Sequence, residues 1–121
     1  MEEPMNIEQM IKTMKGHSES SKMGMIASHL GLVRETSLKG DPVKGITVHF
    51  DPDAIGKIIK DAKEMSGIIE VLVDTCDGEL QVGDEIMAVV VGGDIRDHVF
   101  PALIKTVARI KKEGSLKKEE F

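Results

Sequence analysis

The chain has 121 residues, enough for one domain with a modest core and too few for two ordinary domains. Its formal charge is −5 and aromatic residues make up 2% of it, so it lacks both the basic surface and the stacking platforms of a general nucleic-acid binder. A lone cysteine, Cys76, excludes an internal disulfide, and no apolar run resembles a signal peptide or a membrane span, so we expect a cytoplasmic protein without a membrane partner.

A short amphipathic helix is predicted over residues 6–15, where Asn6 can act as the N-cap. Its apolar residues recur at helical spacing and are Ile7, Met10, Ile11 and Met14. The small polar residues 17–22 that follow predict a loop. Residues 1–22 are therefore expected to form an N-terminal helix and loop, and residues 23–121 a single domain.

Two strands and a helix are predicted next. Residues 23–33 are rich in apolar and small side chains, and the Gly-Asp-Pro sequence at residues 40–42 is a strong turn signal. Residues 43–50 alternate apolar and polar side chains, as a half-buried strand does. After the cap at residues 51–53, apolar residues recur at the spacing of a helix that ends at Gly67.

The C-terminal half predicts two strands and a long helix. Residues 68–75 are apolar and β-branched, and residues 86–91 form the continuous apolar run of a buried strand. The last helix should begin within residues 94–97, because Pro101 is tolerated only in a first turn. Gly114 should end it and leave a short charged tail.

The order of these elements is helix, strand, strand, helix, strand, strand, helix. This order predicts an α+β domain in which helices cover a largely antiparallel sheet. A ferredoxin-like β-α-β-β-α-β sandwich is the generic alternative, since removing the first helix and one strand gives nearly that order. That alternative would make the protein a regulatory dimer.

The residues that can carry chemistry are mainly basic. Serine and histidine never fall in a nucleophile-elbow or metalloprotease motif, the four histidines share no metal-ligand spacing, and two aspartates beside Cys76 would raise the pKa of its thiol. We therefore expect no metal site and no cofactor. Residues 105–121 hold six basic and three acidic side chains, a basic zone that suits a small anionic ligand as well as it suits a solvated helix face.

Three cationic residues stand out by their places along the chain. Arg96 falls at a helix start, where the helix dipole disfavours a cation unless an anion is bound there. Arg34 follows a strand and leads into a glycine-containing loop, so it can join Arg96 in binding a phosphate or carboxylate. Lys111 falls in the last turn of a helix, where it also complements the dipole.

A longer pattern joins these residues in one order. It consists of Gly31-x-Val33-Arg34, then Gly78-x-Leu80-x-Val82-Gly83-Asp84-Glu85, the apolar strand, Arg96, Phe100, Ala102, Lys111 and Lys118. In order and spacing this pattern resembles the large, catalytic subunit of molybdopterin synthase. The likeness covers residues 24–119, most of the chain.

The resemblance implies an α/β hammerhead fold that forms homodimers. It also implies sulfur transfer, in which a small ubiquitin-like carrier brings a C-terminal thiocarboxylate and a cyclic pterin phosphate becomes the dithiolene of molybdopterin. By the same resemblance Lys111 and Lys118 would be the catalytic lysines. The residues that would bind the anionic substrate are Arg34, Arg96, Lys112 and Lys117.

The chain also departs from the family pattern. Ile95 stands where the family has a histidine, and residues 114–119 lack the family's proline and tryptophan. Matching Leu116 to that tryptophan makes Lys117, rather than Lys118, the second lysine. The family's C-terminal extension is absent, so we expect a divergent, C-terminally short member. A non-catalytic relative that binds a small anion or a partner's tail is the alternative function.

Overall fold

A computed structural model describes residues 6–121. Within this range the chain forms three α-helices, one turn of 3₁₀-helix at Ser20–Lys22 and six strands. The helices are α1 (Ile7–Lys15), α2 (Pro52–Lys63) and α3 (Arg96–Glu113). The strands are β1 (Met25–Leu32), β2 (Gly45–Phe50), β3 (Ile68–Thr75), β4 (Gly78–Gln81), β5 (Glu85–Gly93) and β6 (Ser115–Glu120).

The strands form two separate antiparallel sheets. One sheet has the order β1-β5-β3 and the other the order β4-β2-β6. The predicted α+β class, with antiparallel strands and covering helices, is confirmed. Over residues 6–121 the strands do not form the single four-stranded sheet that the ferredoxin-like alternative requires.

The prediction of a charged tail after Gly114 is wrong, because Ser115–Glu120 forms strand β6. It pairs with β2 along its whole length, from Phe50 opposite Ser115 to Gly45 opposite Glu120. Lysine and glutamate are poor strand formers, so local propensity favours coil here. The backbone pairing with β2 overrides that preference and places the two lysines of this segment in the second sheet.

The predicted helix starts are set by different local signals. The Asp51 carboxylate caps α2 by accepting hydrogen bonds from the backbone N–H groups of Asp53 and Ala54, at 3.0 and 3.3 Å. Helix α3 begins at Arg96, within the predicted range, but without a side-chain cap. Pro101 therefore lies in the second turn, one turn further in than predicted, where its missing N–H costs one helical hydrogen bond.

The core that positions these elements has two parts. The larger part lies between the first sheet and helices α2 and α3, and its fully buried members include Ile58, Val89, Val91, Val99 and Ile110. A smaller cluster lies on the second sheet and includes Val33, Val43, Ile46, Val48 and Leu80. Because Ile110 is buried in the larger core, the C-terminal end of α3 is held where the two sheets meet.

Two glycines allow a matched test of this packing. A Cβ at Gly24 would overlap the backbone carbonyl of Asp94, whereas a Cβ at Gly56, in the middle of α2, would meet nothing. We expect Gly24→Ala to lower the free energy of unfolding by about 3 kcal/mol, since backbone atoms cannot move aside easily. Gly56→Ala should raise it by about 0.5–1 kcal/mol because alanine favours the helix. Urea unfolding of both variants measures this, and an unchanged midpoint for Gly24→Ala would contradict the packing described.

Candidate functional site

An open cavity of about 640 Å³ lies where the two sheets meet, beside the C-terminal end of α3. Strands β1, β2, β5 and β6 contribute to its wall, together with the loop that follows β1. The apolar lining includes Ile46, Val48, Phe50, Ile86 and Met87. The polar lining consists of His29, Arg34, Thr36, Lys111, Ser115, Lys117 and Glu119.

Strand alternation decides which lysine of β6 faces this cavity. Lys117 pairs with Val48, and both line the cavity. Lys118 pairs with Thr47, whose hydroxyl lies 3.3 Å from the Glu120 carboxylate on the opposite face of the sheet. Since successive side chains of a strand point to opposite faces, Lys118 points away from the cavity.

Three cations reach the cavity from three different elements. Arg34 comes from the loop after β1, Lys111 from the last turn of α3 and Lys117 from β6. The only carboxylate among the described lining residues is that of Glu119. This excess of positive charge over an apolar floor suits an anionic ligand with a flat or apolar body.

The remaining predicted site residues do not line this cavity within one subunit. Arg96 begins α3 and Lys111 lies 15 residues later in the same helix, which corresponds to about 22 Å along the helix axis. Lys112 is exposed and is not part of the lining, although it is the immediate neighbour of Lys111. The structure therefore brings together Arg34, Lys111 and Lys117 and leaves Arg96, Lys112 and Lys118 outside.

Arg109, another member of the basic zone, already has anionic partners. Its guanidinium donates hydrogen bonds to Asp61 at 2.8 Å and to Glu113 at 2.8 and 3.0 Å. These bonds lower the pKa of both carboxyl groups and raise the pKa of Arg109 further above its usual value. Arg109 therefore links α2 to α3, and its own charge is already paired. The positive charge available for a ligand is that of the cations at the cavity.

His29 is a lining residue that sequence reasoning missed. Its Nε2 atom is buried and neither donates nor accepts a hydrogen bond among residues 6–121. Burial lowers the pKa of the His29 imidazole, and the nearby Lys111 ammonium lowers it further. The sequence does contain a signal for this residue. His29 lies two residues before Gly31 in the strand that leads to Arg34, and side chains two residues apart in a strand point to the same face.

Two kinds of site and segment are not found in the described part of the chain. Residues 6–121 contain no group of three or more His, Cys, Asp or Glu side chains arranged to hold a metal ion. None of the helices in this range is both long and apolar enough to cross a membrane.

The chain matches the family model described as MoaE protein over residues 1–113. A comparison with curated protein sequences finds no match. The structure is similar to molybdopterin synthase from Staphylococcus aureus, with a TM-score of 0.80 and 22% identity over 98% of this chain and 87% of that one. It is also similar to molybdopterin cofactor biosynthesis protein E from Burkholderia multivorans, with a TM-score of 0.77 and 24% identity over 98% and 84% of the two chains.

A further similar structure is described as a complex of subunits 1 and 2 of the molybdopterin-converting factor from Helicobacter pylori. There the TM-score is 0.71 and the identity 14%, over 96% of this chain and 79% of that one. These likenesses show that the chain shares one fold with the three proteins.

Proposed function

The chain belongs to the MoaE family, and from that premise we propose that it is the sulfur-transferring subunit of a molybdopterin synthase. Family membership supports a role in molybdenum cofactor biosynthesis. The observation that carries the catalytic proposal is the convergence of Arg34, Lys111 and Lys117 over one apolar floor. Such a cavity accommodates a cyclic pterin phosphate, with its anionic group at the cations and its ring system on the floor.

The charges around the cavity suit the chemistry of this reaction. A guanidinium such as that of Arg34 can bind a phosphate with two parallel hydrogen bonds. Transfer of sulfur from a thiocarboxylate develops negative charge on the acyl oxygen and on sulfur, and the ammonium groups of Lys111 and Lys117 can stabilise that charge. Binding of the substrate and of the carrier's tail would displace water from the open cavity and strengthen these interactions.

The sulfur is proposed to come from a separate protein. Cys76 is the only cysteine of the chain, and it does not line the cavity. The cavity is open to solvent, and Leu38 in the loop after β1 is part of its rim and 93% exposed. We propose that a small ubiquitin-like carrier contacts this rim and inserts its thiocarboxylated C-terminal tail toward Lys111.

A reconstitution experiment tests this function. Purified protein is mixed with thiocarboxylated carrier and the cyclic pterin phosphate, and the dithiolene product is measured by mass spectrometry. Carrier that ends in an ordinary carboxylate is the control. Product in the first mixture alone supports the proposal. Co-elution of the carrier without product would instead favour the alternative of a non-catalytic binding module.

We further propose a homodimer formed through the outer face of α3. Phe100 and Ile104 lie one turn apart on this face and are 49% and 70% exposed. Arg96 and Lys111 lie on the same side of the helix, near its two ends, because residues spaced by four or seven share one face. A two-fold related copy with α3 antiparallel would bury the apolar pair and bring the partner subunit's Arg96 to Lys111.

Mixed dimers provide a direct test of this arrangement. Arg96→Ala and Lys111→Ala proteins, each of low activity alone, are dissociated together and allowed to reassociate. If Arg96 acts across the interface, each mixed dimer has one intact site, and random pairing restores about a quarter of wild-type activity. If both residues act within one subunit, no mixed dimer has an intact site and activity stays low. Sedimentation of the wild-type protein as a monomer would also contradict the proposal.

A further inference from the structure

His29 presents an unpaired polar atom beside the inner wall of the cavity. The Nε2 atom is buried and has no hydrogen-bond partner in the part of the chain that the structure describes. A Cβ built on Gly31 would lie 3.4 Å from it, so the absence of a side chain at Gly31 leaves room beside the ring. A buried polar atom without a partner destabilises the folded protein. Its retention at a cavity wall therefore points to a partner supplied by a ligand.

The cations and the histidine occupy different depths. Arg34, Lys111 and Lys117 are exposed, whereas His29 is only partly exposed and its Nε2 is buried. Burial and the Lys111 ammonium both lower the pKa of His29 and so favour the neutral form of its imidazole. A neutral imidazole has one donor and one acceptor nitrogen, which suits an uncharged ring with N–H and C=O groups better than it suits a phosphate.

Resting on the proposed function, we infer that His29 hydrogen-bonds the uncharged pterin ring while the exposed cations hold its phosphate. In this arrangement the ring lies inward, against Met87 and Gly31, and the phosphate lies outward. The carrier's tail then approaches the substrate from the open side, past Lys111 and Lys117. His29 is thus a residue that selects and orients the ring, and the cations select the anionic group.

Two variants of His29 separate hydrogen bonding from packing. His29→Phe keeps an aromatic ring and removes both nitrogens, whereas His29→Gln keeps a donor and an acceptor. His49→Phe is the matched control, because His49 is exposed and alternates with the cavity-lining residues of β2. Calorimetric titration is carried out with two probes, an unphosphorylated dihydropterin and inorganic phosphate.

We expect His29→Phe to weaken dihydropterin binding about tenfold and to leave phosphate binding unchanged. His29→Gln should retain most of the affinity for the dihydropterin, and His49→Phe all of it. The melting temperature of His29→Phe should equal or exceed that of the wild type, since an unpaired buried nitrogen is removed. This combination of equal stability and weaker ring binding is not produced by a residue with a purely structural role.

The outcomes distinguish this inference from the proposed function. Equal dihydropterin affinity in wild type and His29→Phe, in a protein that forms product, overturns the inference and leaves the function standing. Loss of affinity for both probes in His29→Phe and in His29→Gln also overturns it. A wild type that binds neither dihydropterin nor carrier and forms no product removes the function and this inference together.

Discussion

Replacing Lys111 by alanine is expected to reduce dithiolene formation by about 10²- to 10³-fold. The Lys111 side chain lies at the cavity, close enough to His29 for its charge to lower the pKa of that imidazole. No other cation from α3 lines the cavity in the described part of the chain, so the developing negative charge would lose its donor from this side. The loss should appear in the rate constant of the chemical step, measured by single-turnover product formation with saturating carrier.

Lys112→Ala is the matched control for this substitution. Lys112 is the next residue of α3, is also exposed and carries the same charge, but it does not line the cavity. Its replacement should change activity by no more than about twofold. Equal losses in the two variants would indicate a general effect of charge on carrier or substrate encounter. Full activity of Lys111→Ala would remove the proposed mechanism.

The helices and the central strands could be predicted because their signals are local. Helix α2 follows the Asp51 cap and a regular apolar spacing, and β5 coincides with a continuous apolar run. The resemblance to the molybdopterin synthase large subunit is confirmed by the family match over residues 1–113. The motifs that carry the resemblance are short. They indicated the family because their order along the chain is the order of the folded elements that contain them.

The second sheet could be predicted only in part, because its strands depend on distant partners. Strand β2 shows the alternation of a half-buried strand, whereas β4 has only four residues and β6 is mostly charged. Glu119, for example, pairs with Ile46, which is 73 residues away in sequence. No local sequence pattern indicates such a distant pairing. The sequence of β6, which is mostly lysine and glutamate, therefore predicted a tail rather than a strand.

The candidate site shows the same division between local and distant information. The positions of Arg34 and Lys111 could be predicted because Arg34 closely follows β1 and Lys111 lies in the last turn of α3. Arg96 was grouped with them by the family motif, although the length of α3 separates it from Lys111 within one subunit. His29 matches neither a metal-ligand spacing nor a catalytic motif, and only the fold shows that it lines a cavity completed by the second sheet.

The choice between Lys117 and Lys118 depends on the register of β6, and it leads to the second large expected effect. A shift of one residue in a strand moves every side chain to the other face. The motif spacing favours Lys118, but the pairing of Lys117 with Val48 turns Lys117 toward the cavity. We therefore expect Lys117→Ala to lower kcat/KM for dithiolene formation by about 10²-fold, through loss of a cation that we propose contacts the transferring group.

Lys118→Ala tests the register itself, because it removes the same charge from the same strand on the opposite face. It should retain activity within about twofold of the wild type. Both substitutions leave the backbone pairing with β2 intact, so circular dichroism and urea unfolding should not separate them. A large loss in Lys118→Ala together with an active Lys117→Ala would mean that β6 pairs one residue out of the register described. The two variants thus show whether the position of the catalytic lysine is determined by the spacing of the sequence motif or by the face of the strand.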